Sequence, residues 1–291
     1  MDKPIISIII VNYNTAHMIV PCLKSIEADL DFPLETFVID NDSKDDSVLQ
    51  IKENFPWVHL IESKQNLGFG KANNLAIPKC QGRYIYFLNP DTQVEQGNFQ
   101  KMTRFMDKNL NIGLAGTKIM YPNGNQQDSV KYSYPRHKYG KKEFDQLKGE
   151  IAWVIGASMI ARKEIIQTIG GFDERYFLYS EDIDLCLSVR KKGWEIGYIQ
   201  DAKIIHWERQ SETQSPPGDV WKRLLKADRQ FFEKNYSKMA FQCIRWSNIV
   251  QALWRIAILK PASFFSSNKQ EMQNKLDRYV LTLKMYKPSK L

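Results

Sequence analysis

The chain reads as an α/β protein with a doubly wound, mostly parallel sheet flanked by helices and a helical extension at its C-terminal end. Three observations predict this. Short apolar runs rich in β-branched residues recur along the first two thirds, each followed by a stretch with helical spacing. Those runs end in Asn or Asp, so parallel strands with right-handed crossovers would gather polar side chains along one sheet edge, where open α/β sheets bind ligands. Beyond about residue 210 the composition turns basic and tryptophan-bearing, with no further strand pattern.

Taken in order, Ile5 to Val11 is β-branched almost throughout and stops at Asn12-Tyr13-Asn14-Thr15. Thr15 is placed to cap a helix through Met18, Leu23 and Ile26. Thr36 to Ile39 repeats the pattern and ends in Asp40-Asn41-Asp42-Ser43, followed by a helix over Val48 to Phe55. His59 to Ile61 is a short strand, Asn66-Leu67-Gly68-Phe69-Gly70 a glycine-bearing loop, and Lys71 to Pro78 a helix. Tyr84 to Leu88 reads as a strand buried on both faces that delivers Asn89-Pro90-Asp91-Thr92 to its carboxyl end. That tetrapeptide is equally the composition of a simple turn. A strand from Gly113 to Met120 leads to a turn at Tyr121-Pro122-Asn123-Gly124, and Asn125 to Glu150 reads as a basic, solvated loop with little core. Trp153 to Ala161 reads as one buried strand whose small residues leave room for close approach to its backbone. A short helix from Ile165 to Ile169 ends at Gly170-Gly171. A helix begins at Ser180 and runs to Gly193, and a strand from Ile196 to Ile199 precedes an apolar run ending in His206.

The segment Ser180-Glu181-Asp182-Ile183-Asp184 admits two readings. Acidic residues in a first turn complement the helix dipole. Three carboxylates within four residues also repel one another unless a cation or a proton-transfer task holds them together. No G-x-G-x-x-G and no P-loop signature occurs, so neither a dinucleotide fold nor a P-loop is supported.

The net charge of +8 is unevenly spread: from Val220 onward 15 Lys+Arg face 4 Asp+Glu, which leaves 26 against 29 in the rest. A basic tail suits an anionic partner, either a membrane surface or nucleic acid. Cys22, Cys80, Cys186 and Cys243 are far apart without a C-x-x-C pair, the pattern of reduced thiols rather than of a disulfide frame or zinc site. The N-terminal apolar run is short, and no uninterrupted apolar stretch of about 18 residues occurs, so the chain is expected to be neither exported nor membrane-spanning.

Seven motifs in order resemble the family 2 glycosyltransferases, the inverting group with the GT-A fold. They are Val11-Asn12-Tyr13-Asn14, Val38-Ile39-Asp40-Asn41-Asp42-Ser43, Asn66 through Asn74, Leu88-Asn89-Pro90-Asp91-Thr92, Gly171-Phe172-Asp173-Glu174, Glu181-Asp182-Ile183-Asp184-Leu185 and His206. Within the family, Asn89-Pro90-Asp91-Thr92 and Glu181-Asp182-Ile183-Asp184-Leu185 look most like bacterial rhamnosyltransferase-type enzymes. The resemblance implies a catalytic domain over residues 1–210, a basic helical region over 211–291, and transfer of a sugar from a nucleotide-diphosphate donor, dTDP-rhamnose or a UDP-sugar, to a lipid-linked saccharide of a cell-surface polysaccharide. It implies a Mg2+ or Mn2+ cofactor at Asp91 and His206, and nucleotide-sugar contacts by Val11, Tyr13, Asp40, Asn41, Asn66, Phe69, Asn73 and Asn89. Asp182 matches the general base, with Glu181 as competing catalytic carboxylate, and Trp153, Gly156 and Ala157 fall on the acceptor side. The chain departs from the D-x-D form by carrying Asn89 at the first position, and a neutral amide binds a hard cation more weakly than a carboxylate.

The tail, with Val220 to Tyr236 and Phe241 to Leu259 as helices and Pro261 marking an end, reads either as packed helices or as an amphipathic membrane-interface element carrying Trp246 and Trp254. With its reduced thiols the protein is expected to be cytoplasmic, and the second reading would hold it peripherally on the inner face of the cell membrane. Two other functions are compatible with parts of this pattern. A nucleic-acid-binding module lacks any recognition signature and would set the acidic cluster against phosphates, so no nucleic-acid partner is expected. A nucleotidyltransferase would share the fold class, but Asn12 to Thr15 lacks the glycine-rich basic loop a triphosphate needs. Oligomeric state is not legible.

Overall fold

The computed structural model describes residues 3–208, 216–265 and 268–287. The chain divides into two units, Met1–Tyr134 with Leu147–Thr213, and Pro135–Gln146 with Gln214–Leu291. The expected boundary near residue 210 lies outside the described residues.

In the first unit the elements run β1 (Ile6–Asn12), α1 (Ala16–Glu27), β2 (Leu34–Asp40), α2 (Ser47–Asn54), β3 (Val58–Glu62), α3 (Phe69–Ala76), β4 (Tyr84–Leu88), β5 (Thr92–Val94), α4 (Asn98–Lys108), β6 (Ile112–Met120) and β7 (Val130–Lys131). After α5 (Lys141–Phe144), which belongs to the second unit, come β8 (Trp153–Val154), β9 (Ser158–Arg162), α6 (Lys163–Ile169), α7 (Glu181–Lys191) and β10 (Glu195–His206). Among the described residues one sheet has the order β3-β2-β1-β4-β9-β6-β10-β5, and β7 with β8 forms a small second sheet. The pairs β3-β2, β2-β1, β1-β4 and β6-β10 are parallel; β9 runs antiparallel to both β4 and β6, and β5 antiparallel to β10.

Strand periodicity explains the layers. In β1, Ile6, Ile8 and Ile10 pack with Ile19, Leu23 and Ile26 of α1 on one face. Ile9 and Val11 point to the other face and pack with Phe37, Ile39, Phe87, Ala72 and Ile166. A strand covered on both sides has no solvent face, which is why its sequence is continuously apolar rather than alternating. Each such fully buried aliphatic side chain contributes about 1.5–3 kcal/mol. The central strands therefore form a rigid platform whose carboxyl ends can carry unfavourable polar groups.

Several local expectations are corrected. Trp153 to Ala161 is not one strand: Trp153 and Val154 pair with β7, the chain bends through Ile155 to Ala157, and β9 then enters the main sheet. The small residues mark that bend. The strand expected over Ile196 to Ile199 continues through the following apolar run as β10 (Glu195–His206), with a register shift between Ile199 and Lys203 absorbing the polar Gln200-Asp201 interruption. Thr92, the last residue of the Asn89–Thr92 tetrapeptide with turn composition, opens strand β5 because β10 supplies its ladder. Asn125 to Glu150 is not coreless, since Tyr134 and Phe144 within it are buried. The Thr15 hydroxyl does not cap α1 but donates to Asn12 Oδ1 at 2.7 Å.

The second unit contains α5, α8 (Pro217–Asn235), α9 (Lys238–Phe265) and α10 (Lys269–Tyr286). Phe144, Phe231, Phe232 and Tyr236 form edge-to-face aromatic contacts, and Arg136 donates to Asn248 Oδ1 at 2.6 Å. Pro261 does not end α9, which continues to Phe265, and α10 was not expected from sequence. One side of α9 is buried through Ala240, Ile244, Ile249 and Ala252. The other exposes Met239, Trp246, Val250, Leu253, Trp254 and Ile258. Among the described residues no helix is long and apolar enough to cross a membrane.

Candidate active site

The carboxyl ends of β1 and β2 lie side by side, with Asn12 opposite Asp40. Asn12 Nδ2 donates to Asp40 Oδ1 at 3.0 Å and lies 3.1 Å from Ser43 Oγ. Asp40 Oδ2 accepts the Ser43 N–H at 3.0 Å. Both carboxylate oxygens thus organise the loop after β2, and Tyr13 sits half-buried beside it. Asn41 links this loop to the next: its Nδ2 donates to Asn66 Oδ1 at 3.0 Å and its Oδ1 accepts the Leu67 N–H at 2.8 Å. Asn73 is buried in α3 and donates to its own helix at Phe69 O, 3.0 Å away. The Phe69 ring meets Phe172 edge-on at 5.7 Å, and its N–H donates to Phe177 O at 2.9 Å. Gly68 is required there: φ is +79°, and a Cβ would lie 2.2 Å from Phe177 O. The Val11 side chain packs in the core and faces away from this edge.

At the end of β4, Asn89 is half-buried, and its N–H donates to Ala157 O at 3.0 Å. Asp91 is buried and belongs to the short turn that launches β5. Thr92 pairs with His206 across the antiparallel β5-β10 ladder, and Trp207 N–H donates to Asp91 O at 3.0 Å. This pairing carries His206 Nε2 to 3.3 Å from Asp91 Oδ1. His206 Nδ1 lies 3.1 Å from Gln127 Oε1, while buried Nε2 has no hydrogen-bond partner. Sequence reasoning missed Gln127 because it fell inside a segment read as solvated loop. The only signal was the Tyr121–Gly124 turn, which returns the chain along β6.

The bend after β8 joins this end of the sheet to α7. Gly156 N–H donates to Asp182 Oδ2 at 3.0 Å, one residue before Ala157 O holds Asn89. Asp182 Oδ1 accepts the Ile183 N–H at 2.8 Å. Gly156 is tight against the carboxylate, since a Cβ there would lie 3.2 Å from Asp182 Cβ. Trp153 stands half-buried on β8 and donates from Nε1 to Ser133 O at 3.2 Å.

The two neighbouring carboxyls differ in their surroundings. Burial, then the adjacent Asp182 charge, pushes Glu181 up to about 8, and its Oε2 is buried without a hydrogen-bond partner. Burial also raises Asp182, but the Gly156 and Ile183 N–H groups oppose it by stabilising the carboxylate. Burial raises both carboxyls, and the Gly156 and Ile183 N–H groups that oppose it reach Asp182 and not the orphaned Oε2 of Glu181. Asp184 is turned elsewhere and accepts from Tyr176 at 3.3 Å. Among the described residues no cluster of three or more His, Cys, Asp or Glu stands ready to hold a metal ion.

The family model described as Glycosyl transferase family 2 matches residues 7–170. An N-acetylglucosaminyl-diphospho-decaprenol L-rhamnosyltransferase of Mycobacterium tuberculosis is 24% identical over 242 residues, covering 73% of this chain and 79% of that protein. Rhamnosyltransferase WbbL of Escherichia coli is 26% identical over 231 residues, covering 69% and 82% respectively. The mannosyltransferase PcManGT from Pyrobaculum calidifontis, solved in complex with GDP-Man and Mn2+, is similar with a TM-score of 0.59 at 15% identity, over 98% of this chain and 86% of that one. TarS 1-349 of S. aureus in complex with UDP-GlcNAc gives 0.57 at 18% identity, over 97% and 80%. At these identities the structural likenesses establish a shared GT-A fold.

Proposed function

This chain belongs to glycosyl transferase family 2, and we propose that it moves a hexose, L-rhamnose foremost, from a dTDP or UDP donor to a lipid-linked saccharide with inversion at the anomeric carbon. The observation that carries this reading is the bend at Gly156-Ala157. Two adjacent residues hold the proton acceptor Asp182 on one side and the Asn89-Asp91 strand end on the other.

A sugar hydroxyl is a poor nucleophile at neutral pH, so a carboxylate in hydrogen-bond reach must take its proton as the anomeric carbon is attacked. Asp182 does this. Its second lone pairs remain available after the Gly156 and Ile183 N–H groups are satisfied. Glu181, neutral at the same pH, orients the acceptor as a hydrogen-bond donor. With one base and no covalent step the configuration inverts. Trp153, Gly156 and Ala157 line the acceptor side. Tyr13, Asp40, Asn41, Asn66, Phe69, Asn73 and the Val11 backbone form the nucleotide side, with Asn89 towards the diphosphate.

Asp91 and His206 fit a divalent cation, Mg2+ or Mn2+. A buried carboxylate oxygen, suited to Mg2+ or Mn2+, lies 3.3 Å from a buried imidazole nitrogen without a hydrogen-bond partner, a donor that Mn2+ accepts more readily than the oxygen-preferring Mg2+. Asp91 and His206 would hold the ion from the protein side. When bound, the ion neutralises the charge of the departing nucleoside diphosphate.

The exposed apolar row of α9 and the basic excess of the tail support docking on the anionic inner face of the cell membrane, where a lipid-linked acceptor is presented. A donor screen with dTDP-rhamnose and the common UDP- and GDP-sugars tests the reaction class. Transfer from one donor that is lost by a factor of at least about 100 in Asp182→Asn supports the assignment. Near-normal turnover of that variant refutes it.

A further inference from the structure

We propose that Gln127 is a positioning residue for the cation site: it accepts the Nδ1 proton of His206, so that Nε2 presents a lone pair beside Asp91. This rests on the reading of Asp91 and His206 as metal ligands.

The argument starts from the hairpin after β6. Gly124 N–H closes a turn on Tyr121 O at 2.9 Å, and Gln127 N–H donates to Ile119 O at 2.9 Å. The return limb is thereby fixed alongside β6, whose Met120 pairs with Ile205 of β10. Gln127 thus arrives next to His206 through backbone pairing alone. Gln127, His206 and Asp91 are 5%, 4% and 5% exposed, so water does not compete for these contacts.

Neutral imidazole carries one N–H and one lone pair, and the partner of one nitrogen decides the state of the other. An amide oxygen 3.1 Å from Nδ1 accepts a proton there. The opposite amide orientation would aim an N–H at Nδ1 and move the imidazole proton to Nε2. That proton would face Asp91 Oδ1 at 3.3 Å, where Nε2 makes no hydrogen bond. With Nδ1 protonated, two electron-rich atoms converge from β10 and the β4-β5 turn, an arrangement that a cation relieves. Metal-ligating imidazoles commonly have the other nitrogen held by a hydrogen-bonding partner in this way. Gln127 supplies it without adding charge.

The test uses the full chain with Mn2+ titrated in the presence of UDP or dTDP, free ion being followed by electron paramagnetic resonance. Gln127→Leu should weaken Mn2+ binding by about 10–100-fold, and Gln127→Glu, which still accepts from Nδ1, should restore it to within a few-fold of wild type. Nitrogen-15 chemical shifts of His206 in the metal-free protein should report the Nδ1–H tautomer in wild type and Gln127→Glu, and its loss in Gln127→Leu. Equal Mn2+ affinity in wild type and Gln127→Leu overturns the role of Gln127, as does an Nε2–H tautomer in wild type. Failure of wild type itself to bind Mn2+ overturns instead the metal assignment on which the proposal rests.

Discussion

Glu181→Gln gives the sharpest test of how the two carboxyls proposed for the active site divide their work. The Glu181 carboxyl is raised from 4.5 to about 8 by burial and by Asp182, and its Oε2 has no hydrogen-bond partner. Between those two pH values the folded protein holds a proton that the unfolded chain has released. Stability therefore falls as pH rises through this window, and levels off above about 8. The slope is at most about 1.4 kcal/mol per pH unit, so the whole loss is on the order of 5 kcal/mol as a ceiling. Glutamine mimics the protonated acid and does not titrate. The stability advantage of Glu181→Gln over wild type should grow by roughly 3 kcal/mol from pH 5 to pH 8. For a unit of this size that is a growing Tm difference of roughly 6 °C or more, read by thermal unfolding of both proteins across that range. A Tm difference that does not change with pH refutes the assignment, because Glu181 would then be ionised at neutral pH and equally available as the base.

Other predictions follow from the same geometry. Asp91→Ala should abolish the extra thermal stabilisation that Mn2+ adds to UDP or dTDP, and EDTA should suppress wild-type transfer; full activity in EDTA removes the metal role of Asp91. Gly156→Ala places a methyl 3.2 Å from Asp182 Cβ, so the carboxylate must shift by a few tenths of an ångström. About a tenfold loss of kcat with donor KM preserved is expected, and an unchanged kcat would show that Asp182 tolerates displacement. Trp246→Ser with Trp254→Ser should reduce co-sedimentation with phosphatidylglycerol-containing vesicles several-fold while leaving transfer to a soluble acceptor intact; equal binding by both proteins would exclude α9 as the docking element.

What the sequence by itself determined was whatever depends on local pattern. β-branched runs marked β1, β2 and β4, since burial on both faces leaves no polar alternation to disguise them. The polar residues that close those runs marked the edge proposed to bind the donor, and Glu181-Asp182 stood out because closely spaced carboxylates repel one another. The bend at Gly156-Ala157 was blurred into a strand, because small apolar residues are compatible with both. Pro261 has the composition of a helix stop, although α9 passes through it.

Only the tertiary structure decided the pairing of distant backbones and what each pairing brings together. Asp91 meets His206 because β5 and β10 are antiparallel in one register. Gln127 reaches the same imidazole because a hairpin returns along β6. The different surroundings of Glu181 and Asp182 also escape sequence, since Asp182 alone of the two accepts main-chain N–H groups from Gly156, far away in the chain, and from Ile183. Side-chain identity records which groups are present. Their protonation and partners depend on the dielectric and donors around them, which exist only once the chain is folded.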